Sequence, residues 1–329
     1  MTGATTSVAA IVEAAGPHVP VLLERVEDRL ATIAAGHGSV LAEHAGATIA
    51  AGGKRLRPLL VLLAAGHEPA DRSELVACAA AVELVHSATL VHDDVLDAAA
   101  LRRGSPTVWA QGGRALAVAT GDLLFSRAFA ELAADGTLPS VRALSRASSA
   151  LAEGELLQRQ DAWNGAVAVE RYLYRCELKT ARLFEASCEL GALAAGARRD
   201  QVTALGGFGR RIGLAFQLLD DVLDVSSSAQ DTGKDRGTDL LDGTVTLPLI
   251  LARDRDTSLA TLDLRKITTP RAATELCERI ESTGALSVAT ERALQIVREA
   301  KEGLEAMRLD DGQRLALDLV ADSVVDRHS

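Results

Sequence analysis

Apolar residues recur along most of this chain at the spacing of helix faces. The most apolar stretch spans residues 75–91 and contains Glu83 among a few other polar side chains. We interpret it as a buried helix and not as a membrane span. Ser73 and Glu74 suit the first turn of that helix, as its cap and its acidic residue. Near the end of the chain, a three-to-four-residue spacing predicts an amphipathic helix through Leu286, Ala289, Ala293, Ile296, Ala300, Leu304 and Met307.

The composition favours helices over strands. Hydrophobic residues make up 48% of the 329 positions but aromatic residues only 3%, so the core must be built from Ala, Leu and Val. Ala and Leu are strong helix formers, and the alternating β-branched runs typical of strands are missing. No change of composition marks a linker. We therefore predict one all-α domain over residues 1–329, with about the first 20 residues flexible and the polar stretch 226–242 forming an ordered loop or lid.

Charge and cysteine content narrow the class of partner. The net charge of −10, with no basic stripe, argues against a nucleic-acid partner. Local basic clusters at residues 54–57 and 102–103 still allow a small phosphorylated ligand. The four cysteines show no C-x-x-C spacing, so we interpret them as buried residues in a reducing compartment. The N-terminus lacks a basic region followed by an apolar run, and we expect neither a secretory signal nor a transmembrane segment.

The most informative feature is an acidic cassette that occurs twice. Asp93-Asp94-Val95-Leu96-Asp97 recurs without change as Asp220-Asp221-Val222-Leu223-Asp224. On a helix, Asp93 and Asp97 share one face, and so do Asp220 and Asp224. Carboxylates in apolar surroundings are costly unless a cation lies between them. Mg²⁺, which takes one or two carboxylates and leaves its other positions to water or phosphate, is the natural candidate.

A single acidic run is more often a solvated helix face or an N-terminal cap than a metal site. Here, however, both cassettes follow core-like apolar sequence, at residues 84–92 and 216–219. Because two such cassettes are present, metal binding is the better interpretation. Two facing clusters could hold a diphosphate through bridging metal ions.

Basic residues near a helix start provide a second candidate site. The segment Gly52–Pro58 contains Lys54, Arg55 and Arg57 ahead of an apolar run, and Pro58 suits a first helical turn. Lys54 and Arg57 could bind a second diphosphate that the metals do not reach. Taken alone, a solvated turn explains the segment equally well.

With these motifs together, the chain resembles the trans-prenyl diphosphate synthases of the polyprenyl synthetase family. The match runs from about residue 52 to about residue 249. Each motif alone carries a false-positive risk, but their occurrence in order is highly specific. The matching segments are Gly52–Pro58, His92–Asp97, Leu101–Gly104, Leu178–Thr180, Phe216–Asp224 and Gly233–Lys234.

The resemblance implies an isoprenoid-synthase-type helical bundle around a central cavity, and a homodimer. It implies Mg²⁺ as cofactor, with about three ions around the bound diphosphate. Asp93 and Asp97 match the metal ligands of the first motif, and Asp220 matches the principal ligand of the second. Asp94, Asp221 and Asp224 would support these ligands through water or indirect contacts.

The resemblance also implies two substrates, isopentenyl diphosphate and an allylic diphosphate. Residues matching the allylic diphosphate site are Arg102, Lys179, Thr180, Gln217 and Lys234. Residues matching the isopentenyl diphosphate site are Lys54, Arg57, His86 and Arg103. Without the resemblance, His86 on its apolar face would be read as a core residue. His92 is assigned no role.

One position departs from the family pattern. The family often has a lysine shortly before the Thr-Leu-Pro stretch, where this chain has Thr244. The change removes one cation near the diphosphate. We expect slower ionisation of the allylic substrate, or compensation by Lys234, and not a loss of activity.

Two small residues before the first cassette bear on product length. Thr89 lies four residues before Asp93, about 6 Å down the same helix face. Ala88 is further round the helix, so its role rests on the resemblance, in which short-chain members often have bulky aromatics here. We therefore predict a medium- or long-chain trans-polyprenyl diphosphate as product. The tail would run as deep as Phe125 or Phe129, two residues whose ordinary interpretation is core packing.

Four alternatives remain at this point. A short-chain synthase making farnesyl or geranylgeranyl diphosphate would share every motif. A cyclising terpene synthase would have Asn, Ser or Thr with Glu in its second metal motif. A regulatory partner subunit of another synthase would typically lack aspartates or the cations of residues 54–57, and a divalent-ion buffer would not need those cations. We expect a cytoplasmic enzyme whose contact with membranes comes, if at all, through its product.

Overall fold

The chain folds into a bundle of helices. The computed structural model describes residues 7–36, 38–50, 53, 55–67, 73–102, 104–226 and 236–326. Up to the middle of the chain, the helices are α1 Val8–Ala15, α2 His18–Ala35, α3 Ser39–Ala50, α4 Leu56–Ala65, α5 Ser73–Leu96, α6 Val108–Asp135, α7 Leu138–Asp161 and α8 Val169–Cys176. A short antiparallel hairpin, β1 Leu101–Arg102 with β2 Ser105–Pro106, lies between α5 and α6.

The second half of the bundle begins with a π-helical turn, Glu177–Ala181, that joins α8 directly to the next helix. The helices that follow are α9 Arg182–Ala194, α10 Arg199–Ser226, α11 Thr238–Leu241, α12 Leu247–Arg253, α13 Thr257–Ala260, α14 Pro270–Ser282, α15 Ala285–Glu305 and α16 Asp311–Asp326, with a 3₁₀ turn at Leu264–Lys266. The all-α prediction is confirmed.

Helix α5 forms the centre of the core. It packs along α6, while α10 lies between α9 and α15 and α4 packs on α9. The close approach of α4 and α9 depends on Gly191, because a Cβ atom there would lie 2.0 Å from the carbonyl oxygen of Val61. The four cysteines are buried and free, as their sequence context predicted.

The helix predicted over the most apolar stretch is α5. In the described part of the chain, it is the one helix long and apolar enough to span a membrane. However, 78% of its apolar window is buried inside the protein. This burial agrees with the prediction of a core helix.

Three other sequence expectations have different outcomes. The predicted C-terminal amphipathic helix is α15, and Met307 lies just beyond its end. The predicted loop at 226–242 contains the short helix α11, and residues 227–235 fall outside the described part. The N-terminal stretch expected to be flexible includes α1, whose Ile11 is buried and which packs against α16.

The hairpin between α5 and α6 is fixed at both ends. Thr107 caps α6, its hydroxyl oxygen accepting from the backbone N–H of Ala110 at 3.1 Å. The same hydroxyl donates to the carbonyl of Ala99 at 2.6 Å. This arrangement holds Arg102 beside the end of α5.

Candidate active site

The first aspartate cassette lies at the C-terminal end of α5. Asp94 is buried and accepts a hydrogen bond from Nε of Arg102 at 2.7 Å. Asp97 is more exposed and accepts from Nη2 of Arg159 at 2.5 Å. The backbone N–H of Asp97 donates to the carbonyl of Asp93 at 2.8 Å, so helical hydrogen bonding continues across the cassette. The sequence prediction that Asp93 and Asp97 share a face therefore holds.

The cassette carries charge that its surroundings do not fully balance. Burial raises the pKa of Asp93 to about 6, and the nearby Glu155 and Asp97 carboxylates add to the rise. Lys179 and Arg102 oppose it. A carboxyl held at so high a pKa marks a place where a further cation would be stabilised.

The second cassette lies near the C-terminal end of α10 and is held by neutral donors. Asp221 is buried and accepts from the Tyr172 hydroxyl at 2.6 Å and from Nε2 of Gln217 at 2.7 Å. Burial raises the pKa of Asp221 to about 7 despite these hydrogen bonds. The positive charge of Arg175 acts against this rise.

Asp224 has a different role from the other aspartates of its cassette. Its carboxylate oxygens accept from the backbone N–H groups of Thr238 at 3.1 Å and Asp239 at 3.2 Å. It therefore caps the N-terminus of α11, and it is absent from the cavity wall described below.

Helix α11 brings two further aspartates to the second cassette. Burial raises the pKa of Asp239 well above its usual value, and the charges of Asp224, Asp221, Asp220 and Asp242 raise it further. The sequence analysis did not propose Asp239 or Asp242 as site residues. No helical spacing links them to α10, because they lie on a separate helix further along the chain.

The π-helical turn places the next set of polar groups. Such turns insert one residue into a helix and are frequent at functional sites. Here the turn contains Lys179 and Thr180. The Thr180 hydroxyl donates to Oε1 of Gln217 at 2.6 Å, so a hydrogen-bonded chain runs from Thr180 through Gln217 to Asp221.

Lys179 is held by a carboxylate of α7. Its ammonium donates to Oε2 of Glu155 at 2.5 Å, and Arg159 donates to Oε1 of the same carboxylate at 2.8 Å. Burial alone would lower the pKa of Lys179, but the Asp93 and Glu155 carboxylates outweigh it and raise the pKa. The sequence analysis missed Glu155 and Arg159. Their four-residue spacing on α7 was the signal that could have identified them.

Gly154 allows this contact between α7 and the π-helical turn. A Cβ atom at that position would lie 2.6 Å from the backbone nitrogen of Lys179. Any larger residue would therefore separate the two elements and move Glu155 away from Lys179.

These groups surround one cavity of about 270 Å³. Both cassettes contribute to it, through Asp97 directly after α5 and through Asp220 and Asp221 of α10. Asp93, which the sequence analysis assigned as a principal ligand, and Asp94 are not part of this wall. The other described residues that line the cavity are Arg102, Gln158, Arg159, Ala162, Arg175, Cys176, Lys179, Thr180, Gln217, Asp239, Asp242 and Thr244.

The residues assigned to a second diphosphate site are less fully defined. Arg57 is half-buried at the start of α4, with its guanidinium 4.7 Å from the ring centre of Phe184. His86 is half-buried on α5. Lys54, Arg103 and Lys234 lie outside the described residues.

Arg55, the third cation of its segment, has a structural role. It begins α4 with a positive φ of 50°. Its guanidinium bonds Glu27 and Glu83 at 2.6 Å each, and the carbonyl of Ile49 at 2.7 Å. These partners tie α2 and α3 to α5.

One stripe of α5 retains accessible surface although most of the helix is buried. It contains His86, Thr89, Leu90 and Asp93, which occupy positions i, i+3, i+4 and i+7 of one helix face. The Thr89 hydroxyl donates to the carbonyl of His86 at 2.7 Å. Ala88 is fully buried, so of the two proposed chain-length residues only Thr89 lies on the stripe that leads to Asp93.

The aromatic residues on α6 are partly buried against the core. Phe125 stacks on His92, with ring centres 5.8 Å apart, and Phe129 packs against the core. His92 also lies against Gly121, where a Cβ would come within 2.2 Å of the imidazole. His92 therefore packs α5 against α6, which accounts for a residue to which the sequence gave no role.

The chemistry of these side chains suits magnesium. The donors are hard carboxylate oxygens, and burial raises the pKa of Asp93 and Asp221, so a cation beside them would favour their charged forms. In the described residues, no three His, Cys, Asp or Glu side chains are gathered to form a metal site by themselves. The carboxylates of the two cassettes therefore fit an ion that takes its other ligands from water and a diphosphate.

Comparison with known proteins supports the family resemblance found in the sequence. The sequence profile of the polyprenyl synthetase family matches residues 39–281. Heptaprenyl diphosphate synthase component 2 of Geobacillus stearothermophilus is 42% identical over 230 residues, which cover 70% of this chain and 72% of the relative. Geranylgeranyl diphosphate synthase of Methanosarcina mazei is 35% identical over 283 residues, covering 84% and 86%.

A solved structure matches over nearly the whole chain. The polyprenyl synthase of Caulobacter crescentus, complexed with calcium and isoprenyl diphosphate, superposes with a TM-score of 0.87 at 34% identity. The match covers 99% of this chain and 100% of that one.

Fold and site together define a helical protein in which two aspartate clusters and several cations face one cavity. The profile match extends over most of the chain. The protein belongs to the polyprenyl synthetase family.

Proposed function

We propose that this protein is a Mg²⁺-dependent trans-prenyltransferase. It condenses isopentenyl diphosphate with an allylic prenyl diphosphate and so extends the allylic chain. The observation that carries this proposal is the convergence of both aspartate cassettes on one cavity that also contains Arg102 and Lys179. Neither a metal-ion buffer nor a purely structural protein needs those cations beside the carboxylates.

The first step requires a good leaving group. The allylic carbon–oxygen bond breaks heterolytically, and the electron pair leaves with the diphosphate oxygen. Asp93, Asp97 and Asp220 would hold Mg²⁺, which when bound neutralises the charge of the departing diphosphate. Arg102 and Lys179 lie at the same cavity and add fixed positive charge.

The allylic cation formed in this step needs dipoles and protection from water. The hydrogen-bonded chain of Thr180, Gln217 and Asp221 fixes the orientation of the Thr180 hydroxyl and the Gln217 amide. In this proposal their oxygens, with the carbonyl of Lys179 in the π-helical turn, stabilise positive charge.

The second substrate completes the reaction. The double bond of isopentenyl diphosphate attacks the allylic cation and forms the new carbon–carbon bond. A proton is then lost from the adduct to the released diphosphate, and a longer allylic diphosphate results. We assign the binding of isopentenyl diphosphate to Arg57 on α4 and His86 on the accessible stripe of α5. Lys54 and Arg103 from the sequence motifs complete this set.

We propose a medium- or long-chain product. The support is Thr89, a small side chain on the stripe below Asp93, and the 42% identity to a heptaprenyl diphosphate synthase component. A short-chain product is the second candidate, because a geranylgeranyl diphosphate synthase aligns over a larger share of the chain.

The Geobacillus relative is named as one component of a synthase, so a partner subunit also has to be considered. We propose that this chain acts as a homodimer in the cytoplasm. Light scattering on the purified chain would test the dimer. Activity of the chain alone would distinguish it from a subunit that needs a different partner.

The experiment is a turnover assay with purified protein, Mg²⁺, isopentenyl diphosphate and a series of allylic primers, followed by sizing of the products. Chain extension that stops with a chelator and returns with Mg²⁺ is the expected result. Products ending at farnesyl or geranylgeranyl diphosphate, with excess isopentenyl diphosphate, would refute the longer product. No extension with any primer would refute the enzyme.

A further inference from the structure

Arg175 is a buried cation at the cavity that the family motifs do not include. It lies on α8 one helical turn before Lys179, and its side chain is 3% exposed. Its Nη2 donates to the carbonyl of Val245 at 2.6 Å. Because Val245 directly follows Thr244, the guanidinium lies beside the position where the family often has a lysine.

Arg175 interacts with the Asp221 carboxylate through its charge, but its one close ion pair, with Asp161, is shared with a second arginine. An arginine stays charged when buried, so its charge needs a partner. The nearest carboxylate is the buried Asp161, whose Oδ2 lies 3.5 Å from Nη1 of Arg175. However, Oδ1 of the same carboxylate accepts from Nε of Arg171 at 2.6 Å. Two guanidinium groups thus share one carboxylate.

The hydrogen bonds show the same imbalance. Within the described residues, neither Nη1 of Arg175 nor Oδ2 of Asp161 makes a hydrogen bond. Buried N–H groups of a charged side chain are costly when they have no acceptor. Arg175 is also part of the cavity wall, together with Thr244, Asp239 and Asp242. The positive charge of Arg175 therefore lies at the cavity wall, where it would attract an anion bound in the cavity.

The loop beside Arg175 is held firmly. Trp163 adopts a positive φ of 62° and donates its backbone N–H to the carbonyl of Gly243 at 2.8 Å. Its ring covers Gly243, where a Cβ atom would come within 2.3 Å. With the bond from Arg175 to Val245, both sides of Thr244 are fixed against α7 and α8.

We propose that Arg175 binds the diphosphate in this cavity and replaces the cation that Thr244 does not provide. The proposal rests on the proposed function. It differs from the expectation that Lys234 compensates, and from a role in which Arg175 only anchors the backbone at Val245. In the diphosphate-binding role, removal of the guanidinium weakens anion binding, and a cation introduced at position 244 restores it.

The test compares Arg175→Met with Arg171→Met. Both substitutions remove one guanidinium from Asp161, but only Arg175 lines the cavity. Binding of inorganic diphosphate in the presence of Mg²⁺ is measured by calorimetry, with thermal melting of each variant and KM for the allylic diphosphate alongside. We expect Arg175→Met to weaken diphosphate binding by about ten- to hundredfold, the usual range for a hydrogen bond to a charged group. Arg171→Met should stay within about twofold of the unchanged chain.

Two further variants separate binding from anchoring. Thr244→Lys in the Arg175→Met background should restore most of the diphosphate affinity. Thr244→Lys alone should change that affinity by no more than about twofold, because the cation is already present. This second variant keeps the test decisive if Arg175→Met does not fold.

The proposal is overturned if Arg175→Met binds diphosphate like the unchanged chain. It is also overturned if Arg171→Met loses as much affinity, if Thr244→Lys fails to restore the double variant, or if Thr244→Lys alone gains about tenfold or more. Diphosphate binding without chain extension by the unchanged protein would instead refute the proposed function, and would leave the measured role of Arg175 in anion binding intact.

Discussion

The two aspartate cassettes have the same five residues but opposite surroundings. The first is met by cations: Arg102 bonds Asp94, and Arg159 bonds Asp97. In the second cassette, Asp221 accepts hydrogen bonds from two neutral donors, the Tyr172 hydroxyl and the Gln217 amide. Identical ligand sequences therefore lie in very different electrostatic environments, and the neighbours decide what each carboxylate does.

The last residue of each cassette shows the contrast most clearly. Asp97 lines the cavity and pairs with an arginine side chain. Asp224 accepts two backbone N–H groups and caps α11. That cap brings Asp239 beside Asp221, where its negative charge adds to the cassette. Asp239 thus adds negative charge to the described part of the second cluster, and we expect this cluster to depend strongly on the metal.

The largest expected effect comes from the residues assigned as metal ligands. Asp93→Ala and Asp220→Ala should each lower kcat by at least about 10²- to 10³-fold, as loss of preorganised electrostatic stabilisation commonly does. Asp224→Ala should instead lower the thermal stability by about 1 kcal/mol, the usual cost of a lost cap, and retain most activity. Steady-state kinetics and thermal melting of the three variants make the comparison.

Asp200→Ala, at an exposed residue paired with Arg198, is the control for both measurements. If Asp224→Ala lost activity as severely as Asp220→Ala without any change in melting, Asp224 would not act as a cap. The two cassettes would then be functionally equivalent.

A smaller effect is expected from Asp239→Asn. The substitution removes one of the charges crowded around Asp221, so the metal-free protein should melt at a higher temperature. The same change should raise the Mg²⁺ concentration needed for half-maximal activity by about 10- to 100-fold, as for other groups that support metal ligands. Asp254→Asn, at an exposed residue outside the cavity, should change neither the melting temperature of the metal-free protein nor its Mg²⁺ requirement. An unaltered Mg²⁺ requirement in Asp239→Asn would remove Asp239 from the site.

The pH dependence of stability sharpens the comparison further. The pKa of Asp93 is raised to about 6 and that of Asp221 to about 7, from 3.8 in the unfolded chain. The folded chain therefore holds these protons more tightly. The stabilisation is complete below pH 3.8 and is lost as the pH rises through about 6 and 7.

Without metal, the melting temperature should accordingly fall between about pH 4 and pH 7, and Mg²⁺ should raise it more at the higher pH. Asp221→Asn should reduce this slope more than Asp93→Asn, because the pKa of Asp221 is raised further. Equal melting temperatures across that range in the metal-free protein would show that these carboxyls are not in a charge-excess site.

The smallest effect on rate is expected from Thr89→Tyr. Thr89 lies on the accessible stripe below Asp93, so a tyrosine there should shorten the main product with little change in the first condensation. Ala88→Tyr is the less clean test, because Ala88 is fully buried and a larger side chain would also destabilise the core. Product sizing of both variants, with melting curves, distinguishes the two effects. Unchanged products from Thr89→Tyr would remove this stripe from chain-length control.

The fold could be predicted from the sequence because local patterns encode it, and the same patterns indicated the candidate ligand residues. The helical spacing of α5 and α15, the apolar flanks of both cassettes and the Ala/Leu-rich composition each act over a few turns of helix. Asp93 and Asp97 share a face for the same local reason.

The contacts that distinguish the cassettes come from distant parts of the chain and leave no local pattern. Glu155 and Arg159 reach the site only because Gly154 lets α7 touch the π-helical turn. Asp239 reaches it because the backbone of α11 is held by Asp224. Arg175 is unremarkable on α8 until its guanidinium is seen beside Val245.

The capping of α11 by Asp224 also has a consequence for how this region can change in evolution. The backbone N–H of Gly237 donates to the Asp224 carbonyl at 2.9 Å, and Arg236 bonds the Val225 carbonyl. Both ends of the segment 227–235 are thus tied together independently of its length. The entropic cost of closing a loop rises by only about 0.6 kcal/mol for each doubling of length. Natural insertions or an engineered tag early in this segment should therefore be tolerated while Asp239 keeps its place beside the second cassette.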